Sequence, residues 1–141
     1  LRWAVMHTGS DRMQAVFDGL PGHYFGAPNL MAVTATVAAW THGDEWLAAV
    51  IEVLDENRHA LTDLLAQHLP GVGYQPPQAT YLAWLDCTAL GFGSDPAQLF
   101  HERGVALSAG PDFGPQGAGH ARLNIATSPS VLASTIKAMA S

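Results

Sequence analysis

Charged side chains are scarce in this sequence. Lysine, arginine, aspartate and glutamate make up 13% of its 141 residues, about half of the ~25% that is usual in globular domains. A surface with so few charges indicates either contact with another domain or subunit, or simply a chain rich in alanine and glycine. The six basic residues are scattered along a chain whose net charge is −6, a pattern that predicts no nucleic-acid partner.

Cysteine, lysine and long apolar runs are also nearly absent. The single cysteine, Cys87, excludes an internal disulfide and predicts a cytoplasmic protein, with this thiol as a core residue at a strand end. No apolar stretch reaches the length of a membrane span, and no signal peptide opens the sequence, so we predict no membrane partner. The only lysine is Lys137. The histidines include no pair four residues apart, and we therefore predict no bound metal.

The first residues are unusual for a chain start. The sequence begins "LRWAVMHTG", without methionine, and the run from Leu1 to His7 is typical of a short buried strand. A natural N-terminus is usually polar and loosely held. We therefore expect this sequence to be the back part of a longer polypeptide.

Helical patterns dominate the first half of the sequence. Ser10 and Asn29 stand where they can cap two helices. The second of these, residues 30–40, is apolar almost all round, which predicts a buried helix or an interface. A third helix is predicted from Asp44 to Leu69. Its length of roughly 26 residues is more than twice the average, so we expect it to join two domains.

Short strands alternate with helices after residue 70. The predicted strands cover residues 80–86, 105–110 and 119–128, and a glycine-rich loop precedes the last strand. Asp95 and either Ser128 or Ser130 are placed to cap two further helices. The predicted fold class is α+β, with residues 1–43 ending one domain, 44–69 forming the interdomain helix, and 70–141 forming a small C-terminal domain. In that domain, a short antiparallel sheet is packed by helices.

One arginine interrupts a strand pattern that is otherwise buried. In "GHARLNIATS", residues 119–128, alternation places Arg122 on one face and three apolar residues on the other, toward a core. A guanidinium cannot lose its charge and needs an anionic partner. No acidic residue follows Asp112. Two kinds of partner remain open, namely an ion pair with Asp86 or Asp112, or the carboxylate or phosphate of a ligand.

Three stretches together resemble a known family. They are "PNLMAVTATVAAWTHGDEWLAAVIEVLDENR", "TYLAWLDC" and "ALSAGPDFGPQGAGHARLNIATS". They are similar to the C-terminal part of fold-type-I pyridoxal-phosphate (PLP) enzymes, and most closely to the MalY/PatB-type cystathionine β-lyases, also called C–S lyases. The resemblance covers almost all of the chain and extends to the class I-II aminotransferases.

The resemblance implies roles for four residues. Arg122 takes the position of the arginine that binds the α-carboxylate of the amino-acid substrate, and Arg2 that of a basic residue at the cofactor phosphate. Tyr24 and Asn29 would approach the substrate in the active site of the neighbouring subunit of a homodimer. Lys137 does not match the lysine that forms the Schiff base with PLP, and this catalytic lysine is therefore expected upstream of Leu1.

The resemblance also implies a function for the whole protein. It would be a PLP-dependent C–S lyase that acts by α,β-elimination on L-cysteine S-conjugates. Without its N-terminal half, which is its expected partner, this chain would be inactive. Two alternatives remain open: an aminotransferase of the same fold, and a non-catalytic interaction or dimerisation module.

Overall fold

A computed structural model describes residues 4–141. The backbone divides into two compact units, Leu1–Ala48 and Ala49–Ser141. The division falls inside a long helix, near the point where the sequence predicts a domain junction. The three-part domain division derived from the sequence remains a prediction.

The first unit begins with two capped helices, α1 (Asp11–Asp18) and α2 (Leu30–His42). The Ser10 hydroxyl caps α1 by accepting a hydrogen bond from the Met13 backbone N–H. Asn29 caps α2, and both the Ser10 and the Asn29 cap agree with the prediction from the sequence. The predicted strand from Leu1 to His7 is wrong for its described part, because residues 4–7 have no regular structure. Every strand of the described sheet lies between residues 73 and 124, and an extended segment without a neighbouring strand has no ladder to join.

Helix α2 is apolar but exposed. Ala32 is its one buried residue, whereas Leu30, Met31 and Trp40 are 77%, 68% and 70% exposed. A helix of this composition is stable in water only when neighbouring elements cover it. Among residues 4–141, most of this helix is therefore outside any buried core, and the interface interpretation of its sequence remains a prediction.

Helix α3 (Asp44–His68) carries its apolar stripe into the core only in its second half. Leu61 and Leu65 are buried, while Trp46 and Leu47 at its start are 71% and 50% exposed. The helix ends one residue before the predicted Leu69.

The second unit contains a four-stranded antiparallel sheet. Its strands follow the order β1-β2-β4-β3. Their bounds are β1 Gly73–Tyr74, β2 Leu82–Asp86, β3 Ser108–Ala109 and β4 His120–Asn124. The sequence patterns do not predict β1. Strand β2 starts later than predicted because Thr80 has a φ of 71°, a left-handed conformation that a strand does not contain.

Helices α3, α4 (Pro96–Glu102) and α5 (Pro129–Ala140) cover one face of this sheet. Asp95 and Ser128 cap α4 and α5 as predicted. The core combines alternate strand residues with helix side chains: Leu61, Leu65, Ala83, Leu85, Phe100, Leu123, Ile125, Leu132 and Ile136. Since the core occupies one face, the other strand side chains point away from it.

Candidate functional site

The site is built on the sheet face that points away from the core, which we call the outer face. Trp84 of β2 and Ser108 of β3 lie directly opposite Arg122 of β4, and Asp86 lies opposite His120. On β4 the residues are alternately buried and partly exposed, as the sequence predicts. These five side chains define the outer face.

Arg122 is held by a hydroxyl and a ring. Its Nη2 donates to Ser108 Oγ at 3.2 Å, and its guanidinium carbon lies 4.5 Å from the centre of the Phe113 ring. No carboxylate in residues 4–141 lies within ion-pair distance of Arg122. Of the two alternatives that the sequence leaves open, the ion pair with Asp86 or Asp112 is therefore not formed among the described residues.

The Asp86 carboxylate has other partners, which is the reason for this difference. Its Oδ1 accepts from the Thr88 hydroxyl at 2.6 Å and from the Thr88 backbone N–H at 2.9 Å. These hydrogen bonds lower the pKa of Asp86, and the charge of nearby His120 lowers it further. His120 Nε2 lies 3.8 Å from the same oxygen. Asp112 is exposed at the surface.

Aromatic rings connect these groups into one cluster. The His120 ring stacks on Trp84, with 5.5 Å between centres and 20° between planes. The Trp84 ring meets Phe113 edge to face at 5.6 Å. Cation, carboxylate and rings thus occupy one surface, where the apolar rings reduce the access of water to Arg122 and strengthen its attraction for an anion.

A groove of about 600 Å³ borders the outer face along β1. Trp84 and Asp86 line it together with Tyr74, Pro76 and Pro77. Arg122 is not among the lining residues.

The remaining site residues predicted from the sequence are Tyr24, Asn29 and Arg2. Tyr24 is 65% exposed and packs edge to face on Phe25. The Asn29 side chain caps α2, accepting from the backbone N–H groups of Met31 and Ala32 at 2.9 and 3.3 Å. Both residues belong to the first unit, and their role toward a substrate remains a prediction. Arg2 lies outside the described residues.

Lys137 is exposed on α5, the helix that packs on the core face of the sheet. It is thus separated from the outer face by the sheet itself, and its mismatch to the Schiff-base position remains a prediction. Within residues 4–141 there is no cluster of three or more side chains suited to a metal ion. None of the helices described is long and apolar enough to cross a membrane.

Two residues of the site, Ser108 and Phe113, could not be predicted from the sequence. Ser108 lies in a predicted strand, but its pairing with Arg122 depends on a strand register that the sequence does not specify. Phe113 lies in the glycine-rich loop and carries no periodic signal. For Trp84 a signal exists, because it alternates with the apolar residues of β2.

Known proteins resemble the chain in sequence and in fold. No family model matches it. A Mycobacterium leprae protein, named as a candidate cystathionine beta-lyase, is 42% identical over 135 residues, which are 85% of this chain and 33% of the relative. Cystathionine beta-lyase PatB of Bacillus subtilis is 36% identical over 109 residues, covering 76% of this chain and 28% of PatB.

A solved structure is similar to this chain in both sequence and fold. The PLP-bound C–S lyase of Staphylococcus hominis superposes with a TM-score of 0.76 at 32% identity, over 93% of this chain and 35% of the lyase. The chain spans about a third of the length of the curated relatives that it matches. Over that third, the chain is similar in sequence to proteins named as cystathionine beta-lyases, and it has the fold of the corresponding part of a PLP-bound C–S lyase.

Proposed function

We propose that this chain is the C-terminal, substrate-carboxylate-binding part of a PLP-dependent C–S lyase. The whole protein would act on L-cysteine S-conjugates such as cystathionine, releasing a thiol by α,β-elimination and leaving pyruvate and ammonia. The observation that carries the proposal is Arg122, a guanidinium on the outer face without a carboxylate partner in residues 4–141. The similarity to C–S lyases supports it.

Arg122 suits a carboxylate for geometric reasons. A guanidinium has five N–H donors and binds a carboxylate through two parallel hydrogen bonds. Ser108 Oγ is the one hydrogen-bond partner found for the Arg122 side chain in the described residues. Donors therefore remain for a ligand. Binding at both carboxylate oxygens fixes the orientation of the α-carbon, which is a positioning contribution to catalysis.

The described residues do not fit the cofactor itself. PLP is held by a lysine, and Lys137 lies on the far side of the sheet. We therefore propose that the cofactor-binding residues come from the rest of the polypeptide, and that the 141-residue chain alone has no lyase activity. Incubation of this chain with PLP, borohydride reduction and mass spectrometry test this. Stoichiometric labelling of Lys137 would contradict it.

The carboxylate role of Arg122 can be tested in the full-length polypeptide. Loss of a charge-assisted pair costs several kcal/mol, so Arg122→Ala should raise KM for L-cystathionine about 100-fold, with little change in bound PLP. The release of pyruvate measures the reaction. Arg12→Ala, which removes an exposed guanidinium from α1, serves as the matched control.

Two results would overturn these proposals. An unchanged KM in Arg122→Ala would refute the carboxylate role. Exchange of the amino group with a keto acid, in place of pyruvate release, would identify the whole protein as an aminotransferase of the same fold.

A further inference from the structure

The contact between Arg122 and Phe113 leaves the arginine free to bind. A guanidinium above an aromatic ring is attracted to the π-face without using its N–H donors. The Phe113 ring thus holds the cation 4.5 Å from its centre while the donors stay available. A carboxylate of the protein in the same place would instead occupy them.

The Phe113 ring is itself positioned by a compact loop. Two 3₁₀ turns, Gly110–Phe113 and Pro115–Gly117, form this loop. Gly110 and Gly117 approach so closely that a methyl group on either would overlap the carbonyl oxygen of the other. Two glycines are therefore required to bring the turns together. We call residues 110–117 the glycine-locked loop.

Trp84 of the outer face also contacts the Phe113 ring. The Trp84 indole meets Phe113 at 83°, and His120 stacks on the indole. Phe113 is nevertheless 50% exposed. The Phe113 ring contacts Trp84 and Arg122 and is not packed in the core. Its orientation is therefore set by the outer face and by the loop.

We propose that Phe113, held by the glycine-locked loop, is a positioning residue that orients the Arg122 guanidinium for the substrate carboxylate. This rests on the carboxylate role of Arg122 proposed above. A long arginine side chain in water samples many rotamers. The ring and Ser108 Oγ restrict them before the substrate arrives, which lowers the entropy lost on binding.

The test compares KM with kcat in the full-length polypeptide. Phe113→Leu removes the π-face but keeps an apolar side chain, and should raise KM for L-cystathionine about tenfold. The value of kcat and the PLP content should stay as in the wild type. Phe113→Tyr restores a ring and should return KM to the wild-type value. Titration of bound-PLP absorbance with L-alanine, which has a carboxylate but no β leaving group, should show the same loss in Kd.

A second guanidinium–phenyl pair provides the matched control. Arg103 lies 5.6 Å from the centre of the Phe92 ring, away from the outer face. Phe92→Leu removes a ring from a guanidinium there and should leave KM unchanged, even if it lowers the melting temperature.

The two proposals fail in different ways. If Arg122→Ala raises KM strongly but Phe113→Leu does not, the positioning role of Phe113 is overturned and the carboxylate role stands. If neither variant changes KM, the carboxylate role itself is refuted. A parallel fall of kcat and PLP content in Phe113→Leu would also overturn the positioning role, because it would indicate a general loss of structure.

Discussion

Cys87 is a buried thiol beside a charged residue. It follows β2 directly and is 1% exposed, as the sequence predicts for a core cysteine. Burial, together with the smaller effect of the adjacent Asp86 carboxylate, raises the pKa of the Cys87 thiol to about 11. In an unfolded chain a cysteine titrates near pH 8.5. The folded protein therefore retains this proton at pH values where the unfolded chain has lost it.

This difference predicts a pH dependence of stability. Between pH of about 9 and about 11 the unfolded state binds fewer protons than the folded state, so the free energy of unfolding decreases as the pH rises. The contribution is fully present below the pKa of the unfolded thiol. Urea unfolding of the wild type and of Cys87→Ala across this range measures the effect. The difference between the two proteins should change steadily with pH, and a constant difference would contradict the prediction.

Asn57 is a buried polar residue whose hydrogen-bond partners cannot be identified from the sequence. It lies three residues after Leu54 and four before Leu61, on the apolar stripe of α3, and it is fully buried. Its side-chain amide donates to the backbone carbonyls of Ile125 and Thr127 at 2.9 and 2.8 Å. The sequence does not identify those partners, because the chain separation is about seventy residues and the contact depends on how α3 packs beside the end of β4.

At the scale of elements, the glycine-locked loop carries the sharpest steric constraint. Gly110→Ala should reduce the free energy of unfolding by about 2 kcal/mol, as expected when a methyl group is forced into a closely packed region. Gly22→Ala is the matched control, since an added Cβ there meets nothing within 4 Å and its φ is not positive.

Chemical denaturation of both variants gives the comparison. The loop variant should also show a weaker Phe113–Arg122 contact, visible in the full-length polypeptide as a raised KM. Equal stability of Gly110→Ala and Gly22→Ala would show that the loop relaxes at little cost.

The elements that the sequence predicts correctly depend on contacts between residues close together in the chain. Asp95 and Ser128 cap their helices through contacts within three residues, and such contacts can be inferred from spacing alone. Strand β1 has only two residues, and it exists because β2 lies beside it. The two residues of β1 carry no sequence pattern that predicts its pairing with β2. The positive φ of Thr80 could likewise not be predicted from the sequence, because a β-branched residue rarely adopts it.

At the scale of the whole molecule, exposed apolar side chains dominate α2 and the start of α3. Trp40 and Trp46 are 70% and 71% exposed. Apolar area of this kind favours association in water at about 25 cal/mol per Å² buried. The isolated 141-residue chain should therefore form species heavier than 14.9 kDa.

Sedimentation velocity tests this behaviour directly. The double variant Trp40→Gln/Trp46→Gln should shift the chain toward the monomer. Val131→Gln, at a half-exposed position on α5, should not. A wild-type chain that stays monomeric at high concentration and does not bind an apolar dye would contradict the prediction.

The location of Lys137 has a practical consequence for spectroscopy. It provides the only side-chain amine of the sequence, and it points to solvent from the helix behind the sheet. An amine-reactive fluorophore would thus attach there, apart from the N-terminal amine, on the side opposite Arg122. Four tryptophans can serve as energy donors, and Trp84 stands among the rings of the outer face. If the outer face binds a carboxylate as proposed, such a dye on the 141-residue chain would report the binding through changes in energy transfer, because the dye lies away from that face.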